Sequence, residues 1–241
     1  KSTVTGGPQG QVTKGDITNM ANQTGGFGLR STYRLGSTPA TQGLSEYPIE
    51  TAPGKGLYQN NPASKQGAGS TGYLQDAANA TMDDGITGGA GWANNTANIL
   101  PMNGVFNGAF YVDSTTSKPT WANFVAASQA FGTNYNTGSS DGVGFVNDDP
   151  TQEYVVKAAA AVTVAMMAGD LTYNMADLGT SYTSGQSTVK LATGASSAAG
   201  AGQYAFQIVR IANDPLNLDN TAINSNVIVR FAPGSIMSVK Y

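Results

Sequence analysis

Short runs in which apolar residues occupy every second position constrain this chain more than any other feature of its sequence. In SNVIVRFA, the residues Val227, Val229 and Phe231 fall on one face. STVKLAT (187–193) alternates in the same way. Successive side chains of a β-strand point to opposite faces, so this alternation predicts strands with one buried face. Turn-forming segments separate the runs, which predicts an all-β fold, a β-barrel or β-sandwich with long Gly/Ser/Thr/Asn-rich loops.

The composition agrees with a strand-rich chain that has few charges. Gly provides 31 of the 241 residues, and a glycine inside a helix costs about 1 kcal/mol. Charged residues make up only 11%, against about 25% in an ordinary soluble domain. A surface with so few charges is poorly protected against association. We therefore expect the chain to be built into an assembly, although an ordinary secreted β-domain shares this composition.

The residue types that are missing limit the chemistry of the chain. It has no Cys and no His. Disulfides and thiolate metal sites are therefore excluded, and the commonest general base and metal ligand are lacking. No serine stands out as a nucleophile, because no base is available to activate it. We expect a protein that is not an enzyme, with no catalytic, cofactor-binding or metal-binding residues.

The charge and hydropathy of the sequence also argue against two classes of partner. The formal net charge is −3 and no basic run is present, so we expect no nucleic-acid partner. No apolar run reaches the roughly 18 residues that a membrane-spanning helix needs, so we expect no membrane partner.

The N-terminal part of the chain differs from the rest in having little hydrophobic periodicity. Isolated apolar anchors stand there at Phe27, Leu29, Tyr33 and Leu35. We expect residues 1–45 to form an extended arm that gains order from neighbouring subunits. Residues 46–241 then form a β-rich core domain, with a Gly-rich loop insertion at about 64–98.

Strand candidates follow one another through the predicted core domain. They are EYPIET (46–51), GLYQNNPA (56–63), TGYLQDA (71–77), NGVFNGAFYVDSTTSKPTW (103–121) and QYAFQIVRIAND (203–214), besides the two runs above. In the segment 103–121, the alternation predicts that Phe106, Phe110 and Val112 share one face.

Two segments are ambiguous. WANFVAASQAF (121–131) fits a short helix, because its apolar residues recur at helical spacing, and it also fits a strand. VVKAAAAVTVAMMAGD (155–170) has helical propensity through its alanines but lies among strands. We favour a strand for 155–170, since tertiary context overrides propensity.

The stretch GVGFVNDDPTQEYVV (142–156) combines two strand patterns with a polar corner. Val143 and Phe145 share a face of the first run, and Tyr154 and Val156 share a face of the second. Asn and Asp bond their own backbone, and proline ends a strand ladder. The stretch is thus typical of a β-hairpin.

Side chains that could carry chemistry have simpler structural interpretations. The pairs Asp83-Asp84 and Asp148-Asp149 could bind Ca²⁺ or act in acid–base catalysis, but their residue types are those of turns. We expect Glu153 and Lys157 to lie on a solvated strand face. The sequons at Asn22, Asn79 and Asn94 are expected by chance in a chain rich in Asn and Thr. Trp92 and Trp121 could stack sugars, but we expect core and subunit-interface packing.

Four of these segments, taken in order, resemble a family of small virion structural proteins of tailed bacteriophages, including marine and cyanobacterial ones. The segments are EYPIET with GLYQNNPA, NGVFNGAFYVDSTTSKPTWANFVAAS, GVGFVNDDPTQEYVV, and AFQIVRIANDPLNLDNTAINSNVIVRF. They cover roughly residues 46–231. The C-terminal APGSIMSVKY and the Gly-rich insertion depart from the family pattern.

The resemblance implies a head protein of the cement or decoration type, fixed to the outside of the capsid. Its implied partners are the major capsid protein and, in a homotrimer, further copies of itself. The N-terminal arm would reach neighbouring copies. Alternatives are another structural virion protein, such as a minor capsid or tail component, or a bacterial surface-layer or adhesin-type β-domain.

Overall fold

The computed structural model describes residues 22–34, 38–39, 43–54, 56–65, 72–77, 102–135, 137–168, 171–176, 185–198, 205–215, 217 and 222–232. Within these ranges the chain forms fifteen β-strands and a short 3₁₀ helix at Val164–Met167. The strands are β1 (Arg30–Arg34), β2 (Thr38–Pro39), β3 (Ser45–Ile49), β4 (Leu57–Tyr58), β5 (Pro62–Lys65), β6 (Leu74–Asp76), β7 (Gly104–Val112), β8 (Pro119–Ala122), β9 (Phe124–Val125), β10 (Gly142–Asn147), β11 (Gln152–Lys157), β12 (Leu171–Ala176), β13 (Lys190–Ala198), β14 (Phe206–Ile211) and β15 (Asn226–Phe231).

The described strands form three antiparallel sheets, which confirms the all-β prediction. Sheet 1 has seven strands in the order β13-β12-β14-β15-β11-β1-β2. Sheet 2 has six strands, β3-β10-β7-β5-β6 with β8 paired to β7, and sheet 3 consists of β4 and β9. A single bridge between Ala158 and Leu191 joins the end of β11 to β13. None of the helices within the described ranges is long and apolar enough to span a membrane.

The first core lies on one face of sheet 1 and follows the alternation of its strands. Val227 and Val229 are fully buried and Phe231 is 5% exposed, as the sequence pattern predicts. Tyr154 lies edge-on to Phe231, with 5.6 Å between ring centroids. Burying one aromatic or branched aliphatic side chain contributes about 1.5–3 kcal/mol, so this face is a main source of stability.

The second core lies on one face of sheet 2 and includes sheet 3. Ile49, Leu57, Phe106, Val125 and Val146 are all fully buried there. Val125 belongs to β9, which pairs with β4. The ambiguous segment 121–131 therefore contains the end of β8 and all of β9, and it is not a helix.

The prediction of a hairpin at 142–156 is wrong, although both strands exist. β10 pairs with β3 and β7 in sheet 2, whereas β11 pairs with β1 and β15 in sheet 1. Each strand has a neighbour on both edges, so the two have no free edges with which to pair. The corner between them carries the chain from one sheet to the other.

The predicted arm does not extend over residues 22–34, which belong to this chain's own core. Leu29 is fully buried, and its amide donates to the carbonyl of Asn60 at 2.8 Å. β1 pairs with β11, with Arg30 opposite Val155. Residues 1–21 lie outside the described ranges, as do 66–71 and 78–98 of the predicted insertion. Its described parts, 64–65 and 72–77, contribute to β5 and β6.

The strand that we favoured for 155–170 ends much earlier, at Lys157. Ala158 bridges to Leu191, and the amide of Ala159 donates to the Leu191 carbonyl at 2.8 Å. The hydroxyl of Thr193 accepts from the Ala160 amide and donates to the Ala160 carbonyl. These bonds hold the alanine segment against β13, and the 3₁₀ helix follows it.

The prediction that Phe106 and Phe110 lie on the same face of their strand is wrong, because β7 contains a β-bulge between them. Phe145 pairs with Gly108 while the next residue, Val146, pairs with Phe106, so Asn107 has no partner in β10. An extra residue reverses the alternation on either side of it. Phe106 is therefore fully buried, whereas Phe110 is 43% exposed, and the two do not share a face.

Candidate interaction surface

The solvent-facing side of sheet 2 carries a row of apolar residues that crosses four strands. Val143 pairs with Pro48 on one side and with Phe110 on the other, and Phe110 pairs with Trp121. Phe110 is 43% exposed and Trp121 is 48% exposed. Because neighbouring strands are about 4.8 Å apart, the row is about 14 Å long. We call Pro48, Val143, Phe110 and Trp121 the apolar row.

A half-buried phenylalanine and a glycine set the position of the indole in this row. The ring centroids of Trp121 and Phe145 are 5.0 Å apart. A Cβ atom on Gly108 would lie 2.5 Å from Cζ2 of Trp121. The glycine therefore leaves the space in which the indole lies against the sheet. Phe145 supports it from the side, which gives the exposed surface a defined shape.

The bulge in β7 is what brings the row to the surface. Residues before the bulge, such as Phe106, point into the second core, and Phe110 after it points to solvent. Bulges are common where a sheet re-aims a side chain. The row consists of one proline, one valine and two aromatic residues, so it offers contact area but no acid, base or nucleophile. Such a surface suits recognition of another apolar surface.

Trp121 thus lies at the surface, where it could meet a partner. We predicted core and subunit-interface packing for Trp121 and Trp92. The side chain of Trp121 packs within its own chain on one side only, against Phe145 and Gly108. Trp92 lies outside the described residues.

The acidic corner between β10 and β11 consists of turn-forming contacts, as its residue types predict. Oδ1 of Asp149 accepts from the amide and the hydroxyl of Thr151 at 2.8 and 2.6 Å. Oδ2 of Asp149 lies 2.9 Å from Nε of Arg34 in β1. Asp148 accepts from the Tyr47 hydroxyl at 2.9 Å. Burial and this hydrogen bond to Asp148 raise the pKa of Tyr47. The two carboxylates tie the crossover to both sheets.

The other predicted acidic and sequon residues are only partly covered by the structure. Asp83, Asp84, Asn79 and Asn94 lie outside the described residues. Asn22 is 4% exposed, and its amide donates to the Ile223 carbonyl and to the Ser225 hydroxyl. A glycan on Asn22 would have to displace both bonds. Within the described ranges, no group of three or more acidic residues is placed to hold a metal ion.

The prediction of a solvated face at Glu153 and Lys157 is wrong, since each residue is only 3% exposed. Oε2 of Glu153 lies 2.9 Å from Nη2 of Arg210 in β14. Nζ of Lys157 donates to the carbonyl of Gln23 at 2.5 Å. Alternation places both residues on the face of β11 opposite to that of Tyr154, but it carries no information about what covers that face. The position of β11 inside a seven-stranded sheet would have indicated a covered face, and the sequence does not reveal that position.

A small polar cavity lies near the crossover, where β1 approaches β10. Ser31, Asn60, Asn107 and Asn147 contribute its polar lining, and its volume is about 10 Å³. The Asn147 amide donates to the Ser31 hydroxyl at 3.3 Å. A volume of this size accommodates about one water molecule. The cavity is therefore a candidate water site.

Comparison with known proteins found no relative of this chain. No protein-family model, no curated protein and no solved structure matches it. What the protein does has to be inferred from its own residues and surfaces.

Proposed function

We propose that this chain is a non-enzymatic decoration or cement protein of a tailed-phage head, bound to the outside of the capsid and bridging capsid subunits. Three observations support the proposal. The ordered segments between residues 46 and 231 resemble a family of virion structural proteins, and only 11% of the residues are charged. The third and most important is the apolar row, which leaves two aromatic side chains more than 40% exposed on paired strands.

The apolar row is suited to docking on a lattice. Trp and other aromatic residues dominate the energy of protein interfaces, and they do so best when their geometry is preorganised. Val143 and Phe110 project from strands that are hydrogen-bonded on both edges, and Trp121, on the edge strand β8, packs against Phe145, so little conformational entropy is lost on binding. The major capsid protein is the proposed partner of this surface, and a homotrimer would present three copies of it.

Stabilisation of the head follows from selective binding to the assembled state. A protein that binds the lattice but not free subunits stabilises the lattice by mass action. In a trimer, three linked contacts raise the overall affinity well above that of one contact. Weak individual contacts are then sufficient for strong attachment.

The proposed contacts to neighbouring copies through an arm are confined to residues 1–21. Residues 22–34 contribute Leu29 to the first core and β1 to sheet 1. Deletion of residues 1–21 removes none of the described strands and is the appropriate test of the arm. If arm contacts contribute, the deletion lowers capsid occupancy; unchanged occupancy would remove the arm from the proposal.

The test of the apolar row is binding of the purified chain to phage heads that lack it. The double variant Phe110→Ser with Trp121→Ser removes the aromatic surface, and Tyr135→Ser is the matched control, because Tyr135 is 89% exposed and outside the row. We expect at least about tenfold weaker binding for the double variant and no change for the control. Equal occupancy by all three proteins would contradict the proposal.

Gene neighbourhood separates the proposal from its alternatives at little cost. A capsid gene next to this one supports a head protein. A neighbourhood of tail genes supports a tail component, and one of cell-envelope genes supports a surface-layer or adhesin-type domain.

A further inference from the structure

Three basic side chains lie beside the seam between β11 and β13, and two of them lie over the ring of Phe27. Cζ of Arg30 lies 4.6 Å from the centroid of the Phe27 ring, and Nζ of Lys157 lies 5.8 Å from it. The Ala158–Leu191 bridge places the preceding residues, Lys157 and Lys190, side by side. We call Arg30, Lys157 and Lys190 the cationic cluster.

The segment before β1 covers this cluster from outside. The amide of Gly28 donates to the Val189 carbonyl at 3.2 Å. A Cβ atom on Gly26 would collide with the carbonyl oxygen of Thr188 and would lie 3.3 Å from Cγ of Lys190. The segment therefore lies directly on the start of β13. Lys157 is 3% exposed beneath it, whereas Lys190 is half-buried and Arg30 is exposed, so the cluster is open on their side.

The cationic cluster lacks close negative charge among the described residues. The ion pairs found there are Arg34–Asp149 and Arg210–Glu153, and neither includes a member of the cluster. Asp214 is near enough to raise the pKa of Lys157, but its Oδ2 accepts from the Asn226 amide at 2.7 Å. Among the described residues, Asp214 thus acts on Lys157, and neither Arg30 nor Lys190 forms an ion pair, in a chain whose formal net charge is −3.

The ammonium groups also have fewer acceptors than donors. Nζ of Lys157 donates to the Gln23 carbonyl, and Nζ of Lys190 donates to Oδ1 of Asn224 at 2.7 Å. Each ammonium has three N–H donors, and buried donors normally find acceptors. Burial, together with the charge of Lys190, lowers the pKa of Lys157. The site thus penalises positive charge and has N–H donors that the described protein acceptors do not take up, and an anion would satisfy both.

We propose that the cationic cluster binds an oxyanion, a carboxylate or a phosphate group, which enters beside Lys190 and Arg30 and accepts hydrogen bonds from the two lysines. Charge-assisted hydrogen bonds of this kind are about twice as strong as neutral ones. The anion would also draw together the covering segment, β11 and β13. This site does not depend on the proposed capsid role.

The test is a titration of the full chain with inorganic phosphate and, separately, with succinate, at constant ionic strength kept with chloride. Amide chemical shifts report binding at the seam, and the variants are Lys190→Gln, Lys190→Arg and the control Lys118→Gln. Lys118 is exposed in the turn before β8, away from the cluster. Lys190 is half-buried, and both of its replacements keep a polar side chain of similar length.

We expect saturable shifts at residues 26–30 and 190 in the wild type, in Lys190→Arg and in the control. Lys190→Gln should weaken the affinity at least about tenfold, because one charged donor is lost. Saturation with phosphate or with succinate identifies the class of oxyanion. Absence of saturation with both probes, equal affinity in Lys190→Gln, or shifts that follow ionic strength alone would overturn the proposal.

Discussion

At the residue scale, Tyr154 shows how a single buried side chain links the first core to the crossover. It is fully buried, lies edge-on to Phe231, and its hydroxyl donates to the Asn147 carbonyl at 3.3 Å. Burial raises the pKa of Tyr154 well above 10.0, and Asp149 and Asp148 raise it further. The folded protein therefore strongly favours the neutral phenol.

This pKa shift predicts a loss of stability in alkali that Tyr154→Phe should reduce. Because the folded pKa is raised, the contribution is fully present below pH 10.0 and is lost as the pH rises above that value. The measurement is the free energy of unfolding in urea from about pH 8 to about pH 12. We expect a shallower alkaline decline for the variant. The lowered pKa of Lys157 makes stability rise with pH, but Lys157 is present in both proteins, so its effect cancels in the difference between the two curves. Parallel curves would contradict the assignment.

Alternation predicted the buried residues well where one face of a strand meets the core. Val227, Val229 and Phe231 are examples, as are Tyr154 and Val156. It failed for Glu153 and Lys157, because the opposite face of β11 is also covered. Their covering groups, Arg210 and the segment at Gln23, are distant in sequence. Period-2 patterning contains no information about such contacts.

At the element scale, the bulge in β7 decides which aromatic residue is structural and which is free to bind. Phe106→Ala should lower the free energy of unfolding by about 3–5 kcal/mol, because it leaves a cavity in the second core. Phe110→Ala should cost about 1 kcal/mol or less, since that side chain is 43% exposed. Urea denaturation of the two variants makes the comparison. Similar losses would mean that the register across the bulge is not as described.

The attachment of the segment before β1 gives a second prediction at this scale. Gly28 has φ +70°, and a Cβ atom there would lie 2.6 Å from Cβ of Ser187 and closer still to the Asn60 carbonyl oxygen. Gly54 has φ +71° with nothing within 4 Å, so Gly54→Ala is the matched control. The control should cost about 1–2 kcal/mol for its left-handed backbone. Gly28→Ala should cost about 1–3 kcal/mol more, because the segment must shift.

Thermal or urea unfolding of the two glycine variants checks this prediction. Equal losses would contradict the close approach of residues 26–29 to β13 and to Asn60. They would also weaken the conclusion that this part of the predicted arm belongs to the core.

Strand positions were largely predictable from the sequence, but strand partners were not. The polar corner at 147–150 was correctly identified as a turn, yet it connects two sheets and closes no hairpin. Turn-forming residues indicate that the chain changes direction, but they do not indicate which strand the next strand pairs with. The extent of the helix-prone alanine segment was missed for a related reason, because bonds to Leu191 and Thr193 determine its path.

At the scale of the whole molecule, the fold class followed from composition and alternation, whereas the candidate surface did not. The apolar row exists because four strands align Pro48, Val143, Phe110 and Trp121 across sheet 2. That alignment depends on the strand pairing of sheet 2 and on the bulge in β7, and a local sequence pattern predicts neither of them. The resemblance to virion proteins supplied an expectation of function, and the row supplies a surface with which to test it.

A cryo-EM map of the virion that carries this protein tests the central claim most directly. We expect the chain on the outside of the head, with the side of sheet 2 that bears Phe110 and Trp121 against the capsid shell. Absence of the chain from the head, or its presence there with Phe110 and Trp121 facing solvent, would contradict the proposed function.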